Sequence, residues 1–362
     1  MEREEILFLN LKGFGFKKYS YIKDNFESLL KIPKDCTKEI SKMIRVKEEA
    51  IKSITQENIE REVESIKKEL KKHNINYITI EDEIYPERLK KIQDKPIVIY
   101  YKGDISLLNS DIICSIVGTR RNDEIGKKHT KEIVEMLVKN NVVIVSGLAR
   151  GIDIIAHRQT LESGGYTIAV LAGGLNIVYP KEHEKDFIRI SNKGCVISEF
   201  PPNTEYLKRN FFIRNRIISG LGDITIIIQA PEKSGALITG EYAIKQNKTL
   251  MVIPGNIENP LYRGSNMMIK KGAIPIIDYR DVLEELGYKI VENDSDNKPK
   301  QELSEEEKFV YSFITKEITI DELSEKTGIT VNKIYPLLLS LEIKGMIIQN
   351  IGGTFSRIAN KH

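Results

Sequence analysis

Cysteine is scarce: only Cys36, Cys114 and Cys195 occur in 362 residues. Their number is odd, they stand far apart, and no two have the spacing of metal ligands. A disulfide framework and a cysteine metal site are therefore excluded as organising features. Cys114 and Cys195 lie in apolar runs and read as buried, reduced thiols in a reducing compartment. Long apolar runs are missing too. No stretch approaches the roughly 20 residues that span a bilayer. The opening segment, MEREEILFLN, has no apolar signal core and no small-residue cleavage site. No membrane association is expected, and the expected location is cytoplasmic. A strong charge bias is also absent, since 55 Lys and Arg against 52 Asp and Glu leave a formal +3. That neither demands nor forbids nucleic acid, because a polyanion site needs a local basic stripe rather than a basic whole.

Catalytic signatures are equally thin. There is no His-Glu-x-x-His, no Gly-x-Ser-x-Gly elbow and no Cys/His cluster. His183 stands between Glu182 and Glu184, but adjacent helix positions do not converge on one metal. No catalytic residue, cofactor or metal is expected.

What is present is organised in segments. Residues 1–75 are rich in Lys and Glu, with Ile51, Ile54, Ile59, Val63, Ile66 and Leu70 near helical spacing, which predicts a helical N-terminal domain. Within it, Leu11-Lys12-Gly13-Phe14-Gly15 followed by Lys17-Lys18 has the outline of a helix–hairpin–helix turn. Residues 76–110 read as a bridging segment, because Tyr85-Pro86 and Lys95-Pro96 interrupt any helix. From 111 to 288, apolar runs at 112–118, 142–147, 167–172, 195–200, 223–230, 249–254 and 274–277 alternate with helical stretches. Strands apolar throughout are buried on both faces, so this part is predicted to be α/β, a Rossmann-like doubly wound, mostly parallel sheet. Residues 289–303 read as a linker. Residues 304–362 read as a C-terminal winged helix, with three helices and a hairpin turning at Gly352-Gly353.

Ligands of such sheets bind beyond the carboxyl ends of the strands, so the turns there are the candidate sites. Gly118-Thr119-Arg120-Arg121 offers a tight turn, a hydroxyl and guanidinium forks suited to phosphate. Ser146-Gly147-Leu148-Ala149-Arg150-Gly151 opens a helix, where free amides and the dipole favour an anion. It is neither a Gly-x-Gly-x-x-Gly dinucleotide fingerprint nor a P-loop. Asp153 and His157 share a face of that helix and read as dipole stabiliser and packed neighbour. Tyr179-Pro180 places Lys181 in a first helical turn, which suits a docked phosphate. The run Lys208-Arg209-Asn210-Phe211-Phe212-Ile213-Arg214-Asn215-Arg216 interleaves cations with aromatics, as single-strand binders do. At least one of its two phenylalanines is expected in the core. Ser234-Gly235-Ala236 is a further Gly-rich helix start, either an anion site or close helix–sheet packing.

Taken in order, VGTRR (117–121), VSGLARGID (145–153), AVLAGGLNIVYP (169–180), SEFPP (198–202), RNRIISGL (214–221), SGALITGEYA (234–243), VIPGNIENPLYRGSN (252–266) and KKGA (270–273) resemble the DprA/Smf family of DNA-processing proteins. The resemblance spans the whole 111–287 core. It implies single-stranded DNA binding, protection of strands during natural transformation, handover to the recombinase RecA, and homodimers. The DNA pocket it implies comprises Gly118, Thr119, Arg120, Ser146, Gly147, Lys181 and the Arg214-Asn215-Arg216 motif. The chain departs from the family pattern at His183, where asparagine is usual, and at Ile213, where proline is frequent. Two alternatives come from other classes. A nucleoside-monophosphate phosphoribohydrolase would release free base from AMP. A transcription regulator would read duplex DNA through helix 330–344, which carries Asn332 and Lys333 near its start but few other base-reading side chains.

Overall fold

The computed structural model describes residues 1–288, 303–350 and 352–358. Apart from Leu303, the linker expected at 289–303 lies outside the described residues.

Five helices open the chain: α1 (Arg3–Leu11), α2 (Phe16–Phe26), α3 (Thr37–Met43), α4 (Glu48–Lys52) and α5 (Gln56–Lys72). In α5, Thr55 accepts a hydrogen bond from the Asn58 amide, and Ile59, Val63, Ile66 and Leu70 form the buried face, as the 3.6-residue period requires. Strand β1 (Asn76–Thr79), the short α6 (Glu87–Lys90) and β2 (Val98–Gly103) follow. The core continues through β3 (Ile113–Val117), α7 (Glu124–Lys139), β4 (Val143–Ser146), α8 (Ile152–Glu162), β5 (Thr167–Val170), α9 (Glu184–Lys193), β6 (Cys195–Ser198), α10 (Lys208–Leu221), β7 (Ile224–Ile227), α11 (Gly235–Lys245), β8 (Thr249–Val252), α12 (Arg263–Lys270), β9 (Ile274–Pro275) and α13 (Arg280–Glu285).

The strands form one nine-stranded sheet in the order β1-β2-β6-β5-β4-β3-β7-β8-β9. Pairing is parallel from β6 to β9, while β1–β2 and β2–β6 are antiparallel. β3 to β7 are buried at every position, which is why they read as unbroken apolar runs. The order reverses between β3 and β7, the switch point where such sheets bind ligands.

Two expectations change here. The segment 76–110 is not merely a bridge, since β1 and β2 extend the sheet beyond β6. The N-terminal helices do not enclose a core of their own either. Ile6, Phe8, Ile22, Val63 and Leu70 share one apolar cluster with Val98, Tyr100, Leu171, Phe187 and Val196 of the sheet layer. Helix amphipathicity shows that a face is buried but not what covers it.

The C-terminal unit has α14 (Glu305–Ser312), β10 (Ile318–Thr319), α15 (Ile320–Thr327), α16 (Val331–Ile343), β11 (Ile347–Gln349) and β12 (Thr354–Arg357). It is the winged helix, with a small β10-β12-β11 sheet and its own core around Val310, Leu323, Ile334, Leu338 and Phe355. Ser304 and Thr319 start α14 and α15 with capping boxes closed by Glu307 and Glu322. The unit rests against the amino-end edge of the main sheet. Arg357 reaches the Asn140 carbonyl at 3.4 Å, and Thr315 donates to Asp111 at 3.1 Å. No helix among the described residues is long and apolar enough to cross a membrane.

Candidate nucleic-acid interface

The turns after β3, β4, β5 and β7 meet at the switch point and enclose a groove of about 960 Å³. Its walls include Thr119, Arg120 and Arg121 after β3, Lys208, Phe211 and Arg214 of α10, and Lys233–Gly235 at the start of α11. A recess between Gly147, Ala149, Arg150, Leu171, Tyr179, Tyr206 and Phe211 adjoins it.

The glycine-rich turns hold one another through some of their amides. The Thr119 amide donates to the Gln229 carbonyl at 2.7 Å, and the Ile152 amide to the Thr119 carbonyl at 3.2 Å. The Arg121 amide donates to Thr119 Oγ1 at 3.2 Å. The amides of Gly118 and Gly147 face the Asp153 carboxylate. Within 146–151, the Gly147 and Leu148 amides are thus already used. Gly147 is required by proximity: a Cβ there would meet Asp153 Oδ2 at 2.6 Å and Arg214 Nη2 at 2.7 Å.

Leu148 sits between these layers with φ +55°, a left-handed conformation costly for a leucine. Both of its backbone groups are clamped. Its amide donates to His157 Nε2 at 3.3 Å, and its carbonyl lies 3.0 Å from His183 Nδ1. His157 Nδ1 lies 2.7 Å from Thr167 Oγ1, whose hydroxyl donates to the Ile144 carbonyl. Nδ1 therefore carries the proton and Nε2 accepts. Burial lowers the His157 imidazolium to about 3, so the ring stays neutral and structural. His183, the departure from the family's asparagine, supplies a ring nitrogen to the same loop.

Burial also pushes the Asp153 carboxyl up to about 6, against the pull of Arg214 and the facing amides. It lowers Arg214 to about 10, with Asp153 acting in the opposite direction. Arg214 donates to the Gly147 and Val170 carbonyls and is only 3% exposed. It is the cationic floor of the groove, not a free arm. Asn215 lines the groove and donates to the Gly235 carbonyl at 3.2 Å, tying α10 to α11.

Other expected residues are not brought in. Arg216, two positions from Arg214, points away and forms a buried ion pair with Glu199 at 2.6 Å. Ser146 is buried and donates to the Ile116 carbonyl, and Asn210 is buried and donates to the Glu205 carbonyl. Lys181 and Arg209 are exposed but do not line the groove. Arg150 borders the recess in an ion pair with Glu182 at 2.5 Å. Neither phenylalanine of the run is core: Phe212 is 37% exposed, and Phe211 stands half-buried in an aromatic cluster.

That cluster is the part the sequence did not disclose. Tyr179 and Tyr206 stack with centroids 5.2 Å apart, and Phe211 meets them at 5.7 and 6.1 Å. The Arg120 guanidinium lies 5.2 Å from the Phe211 centroid, a cation–π contact. Tyr206 and Lys233 belong to no motif of the sequence; their one local signal is a position just before a helix that opens on the groove. Among the described residues, Arg120, Arg121, Lys208 and Lys233 line the groove without an ion pair. α10 begins with Lys208 and Arg209, with no acidic residue in its first turn and no side-chain cap. That start is unfavourable for the helix dipole unless an anion docks there.

Known proteins share this architecture. Residues 76–287 match the family model for DNA recombination-mediator protein A, and residues 294–353 that for the DprA winged helix domain. The DNA processing protein DprA of Bacillus subtilis is 38% identical over 216 residues, covering 60% of this chain and 73% of that protein. The crystal structure of DNA processing protein A from Streptococcus pneumoniae aligns with TM-score 0.61 at 32% identity, covering 78% of this chain and 93% of that one. A structure of DNA processing protein A from Helicobacter pylori, reported for its single-stranded DNA binding mode, aligns with TM-score 0.53 at 33% identity, covering 58% and 95%. The family match begins at the residue where β1 begins and spans the strands that build the groove, and the winged helix matches separately: the chain belongs to the DprA/Smf family of DNA-processing proteins.

Proposed function

We propose that the chain holds single-stranded DNA in the groove at the switch point. In this reading it protects incoming strands during natural transformation and passes them to the RecA recombinase, acting as a cytoplasmic homodimer and catalysing no reaction. The observation that carries the reading is the pairing of unpartnered cations, Arg120, Arg121, Lys208 and Lys233, with the aromatic wall of Tyr179, Tyr206 and Phe211. Cations take phosphates, and exposed ring faces take unpaired bases, which a duplex keeps stacked internally. The relative from H. pylori, reported for its single-stranded DNA binding mode, supports the same reading.

The deciding experiment is a titration of single-stranded against duplex oligonucleotides at two salt concentrations. The reading expects tighter single-strand binding that weakens steeply with salt. Equal affinity for both forms would refute it. Release of free base from AMP would refute the non-catalytic part. Handover is tested by recombinase assembly on strands already bound by the chain; assembly no faster than on naked strands would count against it.

A further inference from the structure

The turn between α1 and α2 sits at the groove's end of the sheet. Asn10 donates to the carbonyl of Glu199, the residue after β6, at 3.2 Å. Tyr206 of the aromatic wall packs against the apolar cluster that also holds Phe14 and Tyr19. Arg216 of α10 spans the junction, pairing with Glu199 at 2.6 Å and lying 3.5 Å from Asp94. Asp94 borders Gly15, where a Cβ would stand 3.9 Å from its Oδ1. Arg209 precedes Arg216 by seven positions, two helical turns, and so shares its side of α10. This is why Arg209 does not line the groove: it stands on the rim, on the side of the N-terminal helices.

Cations collect along this rim. Lys17 and Arg209 are exposed, Lys18 and Lys95 half-buried, and among the described residues none of the four has an ion pair. The Lys95 ammonium lies 4.4 Å from the Phe16 ring centroid, and that of Lys18 lies 5.4 Å from the Phe14 centroid. Neighbouring Lys12 and Lys23 are by contrast paired, with Glu62 and Glu81. The junction's own carboxylates, Asp94 and Glu199, would repel a phosphate backbone, and Arg216 takes both. That gives a role to the arginine that does not enter the groove. At the α11 end, beside Lys233, the groove wall carries Glu232 and Glu241, and Lys271 is held by Glu241 at 3.0 Å. The positive field therefore continues the other way, from Lys208 over Arg209 to Lys95, Lys17 and Lys18.

We infer that a single strand leaving the groove continues over the start of α10 and onto the α1–α2 turn, where Arg209, Lys95, Lys17 and Lys18 hold its phosphates. Continuity decides the ligand: a polymer held in the groove must leave it, and these cations begin where the aromatic wall ends. Phe16 lies under Lys95, so the rim offers charge rather than a stack of open rings. Its contacts go to the backbone and add affinity without base preference. The inference rests on the single-strand reading and lengthens its site.

The test uses the full chain and compares oligothymidines of about 6 nucleotides, which the groove alone holds, with others of about 25, which reach the rim. Lys17→Glu with Lys18→Glu, its folding checked by circular dichroism, should weaken binding of the long strand about tenfold or more and lower its salt slope by about 0.7 per lost contact. Its affinity for the short strand should match the parent's. Lys17→Arg with Lys18→Arg should keep both affinities. Parental long-strand affinity in the glutamate variant overturns the inference. So does equal weakening for both lengths, which would place the change in the fold or the groove. Loss of duplex binding with single-strand binding intact also overturns it and makes the turn a duplex surface. Failure of the parent to bind either length removes the single-strand reading and this inference with it, a result distinct from the others.

Discussion

At the residue scale, cations close together in sequence differ most by burial. Arg120 is exposed and stands over Phe211, whereas Arg214 is enclosed beside Asp153. Arg120→Glu should therefore weaken single-strand binding and reduce the salt slope by about 0.7 per lost phosphate contact, while leaving stability near the parent's. Binding titrations at several salt concentrations check this, and an unchanged slope would remove Arg120 from the site. Arg214→Glu should instead destabilise the fold by roughly 3–5 kcal/mol, because Asp153 loses its compensating charge in a buried setting. Denaturant unfolding distinguishes the two. The Asp153 carboxyl, raised from 3.8 to about 6, sets a pH dependence. The folded state keeps this proton where the unfolded chain has released it. The associated stability is thus complete below about 4 and is lost as pH rises through 6. Asp153→Asn should flatten that decline; an unaltered profile of unfolding free energy against pH would show that another group causes it.

At the element scale, helix starts differ in how they are closed. α14 and α15 are closed by capping boxes, whereas α10 opens on two cations and no cap at the groove. In the winged helix, Glu307 joins α14 to α16 by accepting from Lys344 at 2.6 Å and from Ser340 at 2.7 Å. Burial opposes its charge, yet these bonds and those from Ser304 hold its carboxyl down at about 2. A depressed carboxyl stabilises fully above its unfolded value and loses that contribution as pH falls through the folded one. Amide exchange within 303–358 should accordingly quicken as pH drops from about 4.5 towards 2, after correction for intrinsic exchange. Glu307→Gln should remove most of that dependence, and a variant with the parent's profile would contradict the assignment.

At the scale of the whole molecule, Arg357 and Thr315 tie the winged helix to the core among the described residues. Arg357, 2% exposed, donates to the Tyr311 carbonyl at 2.7 Å within its own domain and reaches the Asn140 carbonyl across to the core. Arg357→Ala should lower the unfolding temperature of 303–358 and leave that of the core near the parent's, as read by calorimetry with site-resolved exchange. Joint destabilisation of both parts would mean that they fold as one unit. The N-terminal helices behave oppositely. They share their apolar cluster with the sheet layer, so their order depends on the core.

Much of this was legible in local pattern. Runs such as 112–118 and 223–230 showed burial on both faces, and that alone called for a parallel sheet layered by helices. Turns at 118–121, 146–151 and 234–236 followed from the rule that such sheets bind at their carboxyl ends. The winged helix followed from three helical stretches and a hairpin turning at Gly352-Gly353. What local pattern did not carry was direction and company. Arg214 and Arg216 read as one basic motif, yet positions two apart on a helix face nearly opposite ways; one floors the groove and the other pairs with Glu199. The aromatic wall joins Tyr179, Tyr206 and Phe211 from separate segments, and no spacing rule connects them. Some loop amides, those of Thr119, Arg121, Leu148 and Ile152, are used within the site itself. Sequence by itself determined the elements and the end of the sheet where a ligand belongs, because periodicity and turn chemistry are local. Which cations stay unpaired among the described residues and which rings converge were decided only by the tertiary structure, because burial and pairing depend on neighbours that packing supplies.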